Sequence, residues 1–406
     1  LGVAAGLLGL LGVIPGMPNV AFLAMAAICG VGAYFVSQRA EVAPEPAAPA
    51  AEPAALPPPE SRELSWDDVQ PVDLIGLEVG YRLVPLVDKG QGGELLARIK
   101  GARRKLSQDL GFLVQSVHIR DNLELGPNDY RISLGGVTVG EGVAYPDREL
   151  AINPGRVFGK VQGLETRDPA FGMEAVWIEP SLRDQAQTLG YTVVDASTVV
   201  ATHLSQLLQT HAHELLGHEE AQQMLAGLAK SAPRLVEDLV PKVLPLGVVV
   251  RVLQLLLAER VPLRNLRAIV ETLAEHAPRT QDPAVLVAQV RVALGRQIVQ
   301  DIAGSASELP VITLEPDLEQ LLQNTVATGA AQPALEPGLA ERLQGRLAET
   351  THRQETSGQP AVLLVAPQLR AALARFTRAS VPGLHVLAWN EIPDNRRVRL
   401  VAAVGR

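Results

Sequence analysis

The residues whose spacing comes nearest to a catalytic signature are His211, His213, Glu214 and His218, in the run His-Ala-His-Glu-Leu-Leu-Gly-His. Imidazoles beside a carboxylate could run zinc-dependent hydrolysis: the histidines hold the metal and the glutamate takes a proton from its bound water. That chemistry wants two histidines four residues apart on one helix face. Here His213 and His218 are five apart, roughly 140° around a helix. His211 and His218 share a face but would sit roughly 10 Å apart along the axis, too far for one zinc. A zinc-dependent hydrolase on the His211–His218 cluster is therefore a remote alternative, and the expectation is no metal.

Other catalytic signatures are missing. Gly135, Gly136, Gly140 and Gly142 do not spell a dinucleotide or phosphate loop, and there is no nucleophile elbow. No carboxylate pair is marked out by spacing. The single cysteine, Cys29, lies in an apolar run, so neither a disulfide within the chain nor thiol chemistry is expected. The net charge is −8 and the densest basic group, Arg103, Arg104 and Lys105, sits inside an amphipathic pattern, which argues against a nucleic-acid footprint. The chain reads as a non-enzyme without a cofactor.

The segment from Asp168 to Leu204 stands out for another reason. It sets Asp-Pro-Ala-Phe-Gly, Trp177 and the β-branched run ending Thr202-His203 close together, in a chain that is only 3% aromatic. Phe171 is either a turn aromatic folded into the core or an exposed ring that anchors a partner, since aromatics dominate interface energetics. Asp168 before a proline is a turn-starting residue. Thr202 is either a satisfied helix hydroxyl or part of the same surface.

The elements that must position these residues follow from periodicity. Strands are predicted over Tyr81–Val87, Leu113–Ile119 and Tyr130–Leu134, with a bent or bulged strand over Val137–Val143. A helix is predicted over Gly93–Leu110. Residues 146–192 form a β-rich insert with one helix near Ser181–Leu189, and a strand at Val193–Val194 leads into a helix near Ser197–Leu216. Helical patterns then follow one another: Glu219–Ala229, Arg234–Leu239, Leu246–Ala258, Leu263–His276 and Pro283–Ile302. The tail alternates again, with strands at Val311–Leu314, Ala361–Val365, His385–Ala388 and Arg399–Val404 and helices at Asp317–Gln323, Gly338–Arg353 and Pro367–Thr377.

Residues 1–36 carry no charge, more apolar chain than the ~20 residues one membrane span needs. The turn cluster Pro15-Gly16-Met17-Pro18-Asn19 divides them into a transmembrane hairpin, with Arg39 favouring a cytoplasmic exit. The chain opens on Leu inside this apolar run and reads as the C-terminal part of a longer protein. Glu41–Glu60 holds seven prolines and four glutamates, a semi-rigid spacer. Trp66 just beyond it either caps the first domain or binds a neighbouring subunit.

The blocks Ile14–Pro18, Ile152–Gly163, Asp168–Gly172 with Val176–Pro180, Gly190–Asp195, Ser197–Leu204, His213–Gly217, Arg234–Pro241, Arg251–Pro278 and Val290–Ile298 resemble, in order, the C-terminal part of the FlhA family of type III secretion export gates. Asp168–Gly172, Val176–Ile178 and Ala201–Leu204 favour the flagellar branch over the virulence (injectisome) branch. The resemblance implies a multidomain α+β protein: two C-terminal transmembrane helices (1–36), a Pro/Glu-rich linker (37–66) and four cytoplasmic subdomains. These are an α/β subdomain at 67–145 completed by 196–215, a small ferredoxin-like β-rich insert at 146–195, a helical subdomain at 216–295 and a terminal α/β subdomain at 296–406. It further implies a multi-pass inner-membrane protein whose cytoplasmic part forms a nonameric ring. That ring docks flagellar export chaperones with their cargo and meets other export-apparatus membrane proteins and the associated ATPase complex. Carried over residue by residue, the chaperone dock falls on Asp168, Phe171 and Thr202, and the linker contact between subunits on Trp66. Met173-Glu174 departs from the family's Leu-Pro after the turn.

Overall fold

The computed structural model describes residues 72–88, 93–327 and 337–405. All lie in one compact unit, Pro71–Arg406. The predicted membrane hairpin, the linker and Trp66 lie outside the described residues. Among the described residues no helix is long and apolar enough to cross a membrane.

The first sheet has the order β2-β1-β3-β4, with β1 Ile75–Val79, β2 His118–Asp121, β3 Asp129–Leu134 and β4 Val137–Val143. β1 runs parallel to β2 and antiparallel to β3. Helix α1, Leu95–Leu110, lies between β1 and β2 in the chain and buries Leu95, Ile99, Leu106 and Leu110. The predicted strand over Tyr81–Val87 is instead a 3-10 turn at Tyr81–Leu83 and a short helix at Val84–Val87. Pro85 explains the difference: it has no N–H for a ladder but fits the first turn of a helix. The strand predicted over Leu113–Ile119 is paired only from His118 onward. The bulge expected in β4 is present: Gly140 faces Ile132 and Thr138 faces Ser133, leaving Val139 unpaired between them.

The second sheet, order β6-β7-β5-β8, is antiparallel throughout. Its strands are β5 Glu149–Ile152, β6 Leu164–Arg167, β7 Glu174–Ile178 and β8 Thr192–Asp195, with helix α2, Arg183–Thr188, between β7 and β8. That is the strand order of a ferredoxin-like sheet, but residues 153–163 form a loop where that pattern places its other helix. Helix α3, Ala196–Thr210, follows directly. Asp195 starts it, its carboxylate accepting the Thr198 amide at 2.8 Å. Arg98 of α1 reaches the other Asp195 oxygen at 2.9 Å.

Six helices come next: α4 His218–Ala229, α5 Pro233–Leu239, α6 Leu246–Ala258, α7 Leu266–His276, α8 Pro283–Ala293 and α9 Gly295–Ala303. The single helix predicted over Pro283–Ile302 is broken at Leu294. A Cβ at Gly295 would collide with the Glu391 carbonyl, so the helix turns where that backbone crosses it.

The last sheet, β11-β10-β9-β12, is parallel. It comprises β9 Glu308–Leu314, β10 Val362–Val365, β11 His385–Ala388 and β12 Arg397–Val404, connected through α10 Pro316–Ala327, α11 Pro337–Thr356 and α12 Pro367–Thr377. Leu309, Val311, Val362 and Leu387 join the core that runs through the helices. Ile312, Leu314, Leu363 and Val365 face a second core with α10, α11 and α12. Burial on both faces is what parallel strands require.

Candidate docking site

Strands β6 and β7 form a hairpin in which Arg167 pairs with Glu174. Asp168–Met173 is its loop. The Asp168 amide donates to the Met173 carbonyl at 2.8 Å and the Gly172 amide to the Asp168 carbonyl at 2.8 Å. The Asp168 carboxylate accepts the Phe171 amide at 2.8 Å. The Asp side chain thus closes a turn on its own backbone. Gly172 sits at φ +70, a left-handed conformation where a side chain would be strained.

This geometry rules out a Phe171 ring folded into the core. Asp168 is 3% exposed, whereas the Phe171 ring is 59% exposed. Met173, at the end of the same loop, is exposed as well. The ring is therefore held out of the core by a turn anchored through a buried acid. The hairpin is anchored in turn by Ala175 and Trp177 of β7, both in the main core, with Trp177 edge-on to Tyr145 at 5.4 Å.

Beneath the turn lies a polar pair that sequence reasoning missed. The Tyr130 hydroxyl is 2.9 Å from His203 Nδ1, and both residues are buried. Burial and the nearby Asp168 charge raise the Tyr130 pKa, keeping the phenol protonated. Burial lowers the His203 pKa, opposed by Asp168. A neutral imidazole can accept at Nδ1 from the phenol, so the two protonation states agree with the bond. Gly140 and Gly142 allow this pair its place: a Cβ at Gly142 would lie 2.5 Å from the Tyr130 hydroxyl, and one at Gly140 would meet His203 and Leu207. The glycines of the bulged strand were visible in the sequence, but nothing there linked them to Tyr130 or His203.

Thr202 precedes His203 on α3 and is partly exposed. Asp168 and Phe171 are joined directly; Thr202 shares with them no hydrogen bond, and only its neighbour His203 feels the Asp168 charge. Trp66, the remaining predicted site residue, lies outside the described residues.

The histidine cluster is arranged differently from the expected helix. Helix α3 ends at Thr210, residues 211–214 form turns, and His218 opens α4, where the Glu220 side chain accepts the Gly217 amide at 2.9 Å. His211 Nδ1 lies 2.8 Å from Glu214, and His213 Nε2 lies 3.7 Å from the same carboxylate. Among the described residues no group of three or more His, Cys, Asp or Glu is placed to hold a metal ion.

The model of the FHIPEP family matches residues 1–397. The chain belongs to this family. Flagellar biosynthesis protein FlhA of Salmonella typhimurium is 51% identical over 406 residues, covering 99% of this chain and 57% of that protein. FlhA of Escherichia coli is 50% identical with the same coverage. The chain thus spans little more than half the length of these relatives. Among solved structures, the Chlamydia pneumoniae CdsV protein has a TM-score of 0.71 at 24% identity, over 83% of this chain and 99% of that one. Nonameric EPEC SctV-C has a TM-score of 0.66 at 19% identity, over 83% and 99%. At these identities the likeness is one of fold: the mixed α/β unit of this FHIPEP-family chain is shared with those proteins.

Proposed function

We propose that this chain is the C-terminal part of a flagellar type III export gate. Its unit from residue 67 onward, organised as the four subdomains expected from the sequence, docks export chaperones with their cargo for passage across the inner membrane. The dock is the surface of Asp168, Phe171 and Thr202. The observation that carries this reading is the exposed Phe171 ring on a turn locked by buried Asp168. What distinguishes this ring is its fixed position: a rigid aromatic already held outward loses little entropy when it binds, and aromatics anchor interfaces. The FlhA relatives at about half identity support the flagellar assignment over the virulence one.

In the same reading residues 1–36 are membrane spans, the linker lets Trp66 contact a neighbouring subunit, and nine copies form a cytoplasmic ring. The nonameric EPEC SctV-C and the CdsV–CdsO complex, which share the fold, support a ring that meets another protein; in this proposal its partners are the other export-apparatus membrane proteins and the associated ATPase complex. The chain then acts in transport and not as an enzyme.

Calorimetry with a flagellar chaperone bound to its cargo tests the dock. Phe171→Ala should weaken binding at least ~30-fold, the effect of losing a ~2 kcal/mol anchor. Unchanged affinity in Phe171→Ala rules the dock out. Trp66→Ala should fail to form rings by light scattering, and normal rings rule out the linker contact.

A further inference from the structure

A cavity of about 270 Å³ lies where the helical part meets the terminal sheet, lined from one side by Arg260, Val261, Arg291 and Ile298 and from the other by Arg370, Arg378, His385 and Leu387. Its floor is charged but balanced. Arg291 contacts Glu259 at 3.0 Å and Glu391 at 2.7 Å, and Arg370 contacts Glu259 at 2.5 Å and Glu391 at 3.5 Å. Two cations thus meet two anions. Asp301, also in the wall, pairs with Arg264 at 3.4 Å. Arg260 and Arg378 remain: among the described residues neither has a carboxylate within ion-pair distance. They supply a surplus of positive charge to the cavity as exposed side chains, one from just beyond α6 and one from just beyond α12.

The backbone at Arg260 points the same way. Helix α6 ends in a Schellman motif, with the Arg260 amide donating to Leu257 and the Val261 amide to Leu256, both at 2.9 Å. The left-handed position of that motif is usually glycine. Here it is Arg260 at φ 59, the only non-glycine with positive φ among the described residues. A side chain there carries a backbone strain that glycine would not. His385 faces the cavity with its pKa pushed down to about 4, by burial first and then by Arg260 and Arg291. Its neutral ring can donate one hydrogen bond and accept another.

We propose that this cavity binds a small molecule bearing a carboxylate or phosphate on an apolar body, its oxyanion held between Arg260 and Arg378. Guanidinium forks match both oxyanions. Val261, Ile298 and Leu387 receive the apolar part, and the volume, near the lower limit for small-molecule sites, restricts the ligand to fragment size. Because the two arginines come from different parts of the fold, the bound anion ties the helices to the terminal sheet.

Calorimetric titration of the full 406-residue chain with benzoate, phenyl phosphate and inorganic phosphate tests the site. One aromatic anion should bind per chain, at least tenfold tighter than inorganic phosphate; the tighter of benzoate and phenyl phosphate identifies the oxyanion. Arg260→Gly should weaken that binding at least tenfold while raising the Tm, because glycine relieves the left-handed backbone; loss of binding then cannot come from misfolding. Arg378→Gln should weaken it similarly. Absence of saturable aromatic-anion binding, or undiminished binding in either variant, overturns the proposal.

Discussion

The Asp168 carboxylate accepts the amide of Phe171 at 2.8 Å, making the buried acid and the exposed ring two ends of one turn. The acid therefore has a conformational role apart from anything it offers a partner. It fixes where the ring stands, and its charge reaches Tyr130 and His203 below.

Asp168→Ala should loosen this turn without touching the ring. A hydrogen bond of this kind is worth about 1 kcal/mol net, so amide hydrogen exchange at Phe171 should speed up several-fold. Asp168→Asn keeps an acceptor oxygen and should change it less. If Phe171 exchanges equally fast in Asp168→Ala and the parent chain, the carboxylate does not hold the turn.

Much of this site was legible in the sequence and part of it was not. Asp-Pro and Phe-Gly mark a turn because their chemistry is local. Whether Phe171 pointed in or out was not legible, because that depends on the hairpin that carries it and on Trp177 filling the core beside it. Tyr130 and His203 are 73 residues apart, and no local pattern pairs them. Tyr81–Val87 reads as a strand because it is a short apolar run, and only Pro85 argues otherwise. Regular parallel strands such as His385–Ala388 were read correctly because fully buried strands are short apolar runs.

Gly142→Ala tests the packing under the turn. The new methyl would stand 2.5 Å from the hydroxyl of a fully buried Tyr130, which has little room to retreat. Overpacking of this sort costs about 1–3 kcal/mol, and thermal melting should show a Tm lower by several degrees. An unchanged Tm would mean that Tyr130 is not fixed by this strand.

The buried charges at the helix–sheet joint predict a different asymmetry. Arg291→Met leaves two buried carboxylates sharing one cation, Glu391, whose side chain is 2% exposed, keeping only Arg370 at 3.5 Å, and breaking a buried pair from one side costs about 3–5 kcal/mol. Arg291→Met with Glu391→Leu should recover part of that loss, leaving Arg370 with Glu259. Urea midpoints of both variants measure it. A double variant less stable than Arg291→Met would show that the surplus carboxylate is not the source of the penalty.

Acid should weaken the same joint through His385. Its folded pKa is pushed down to about 4 from an ordinary value of 6.5. The unfolded chain therefore takes up a proton below pH 6.5 that the folded chain refuses until near pH 4. The unfolded state binds more protons in that window, so stability falls as pH drops through it and is insensitive to His385 above it. The slope is at most about 1.4 kcal/mol per pH unit from this residue. His203 and His213, whose pKa values burial also lowers, add to the decline in the same direction. His385→Asn should flatten the curve of unfolding free energy between pH 6.5 and 4.5 while leaving the His203 and His213 contributions. Urea unfolding at half-unit steps reads this directly, and parallel curves for the parent chain and His385→Asn would remove His385 as the acid-sensitive group.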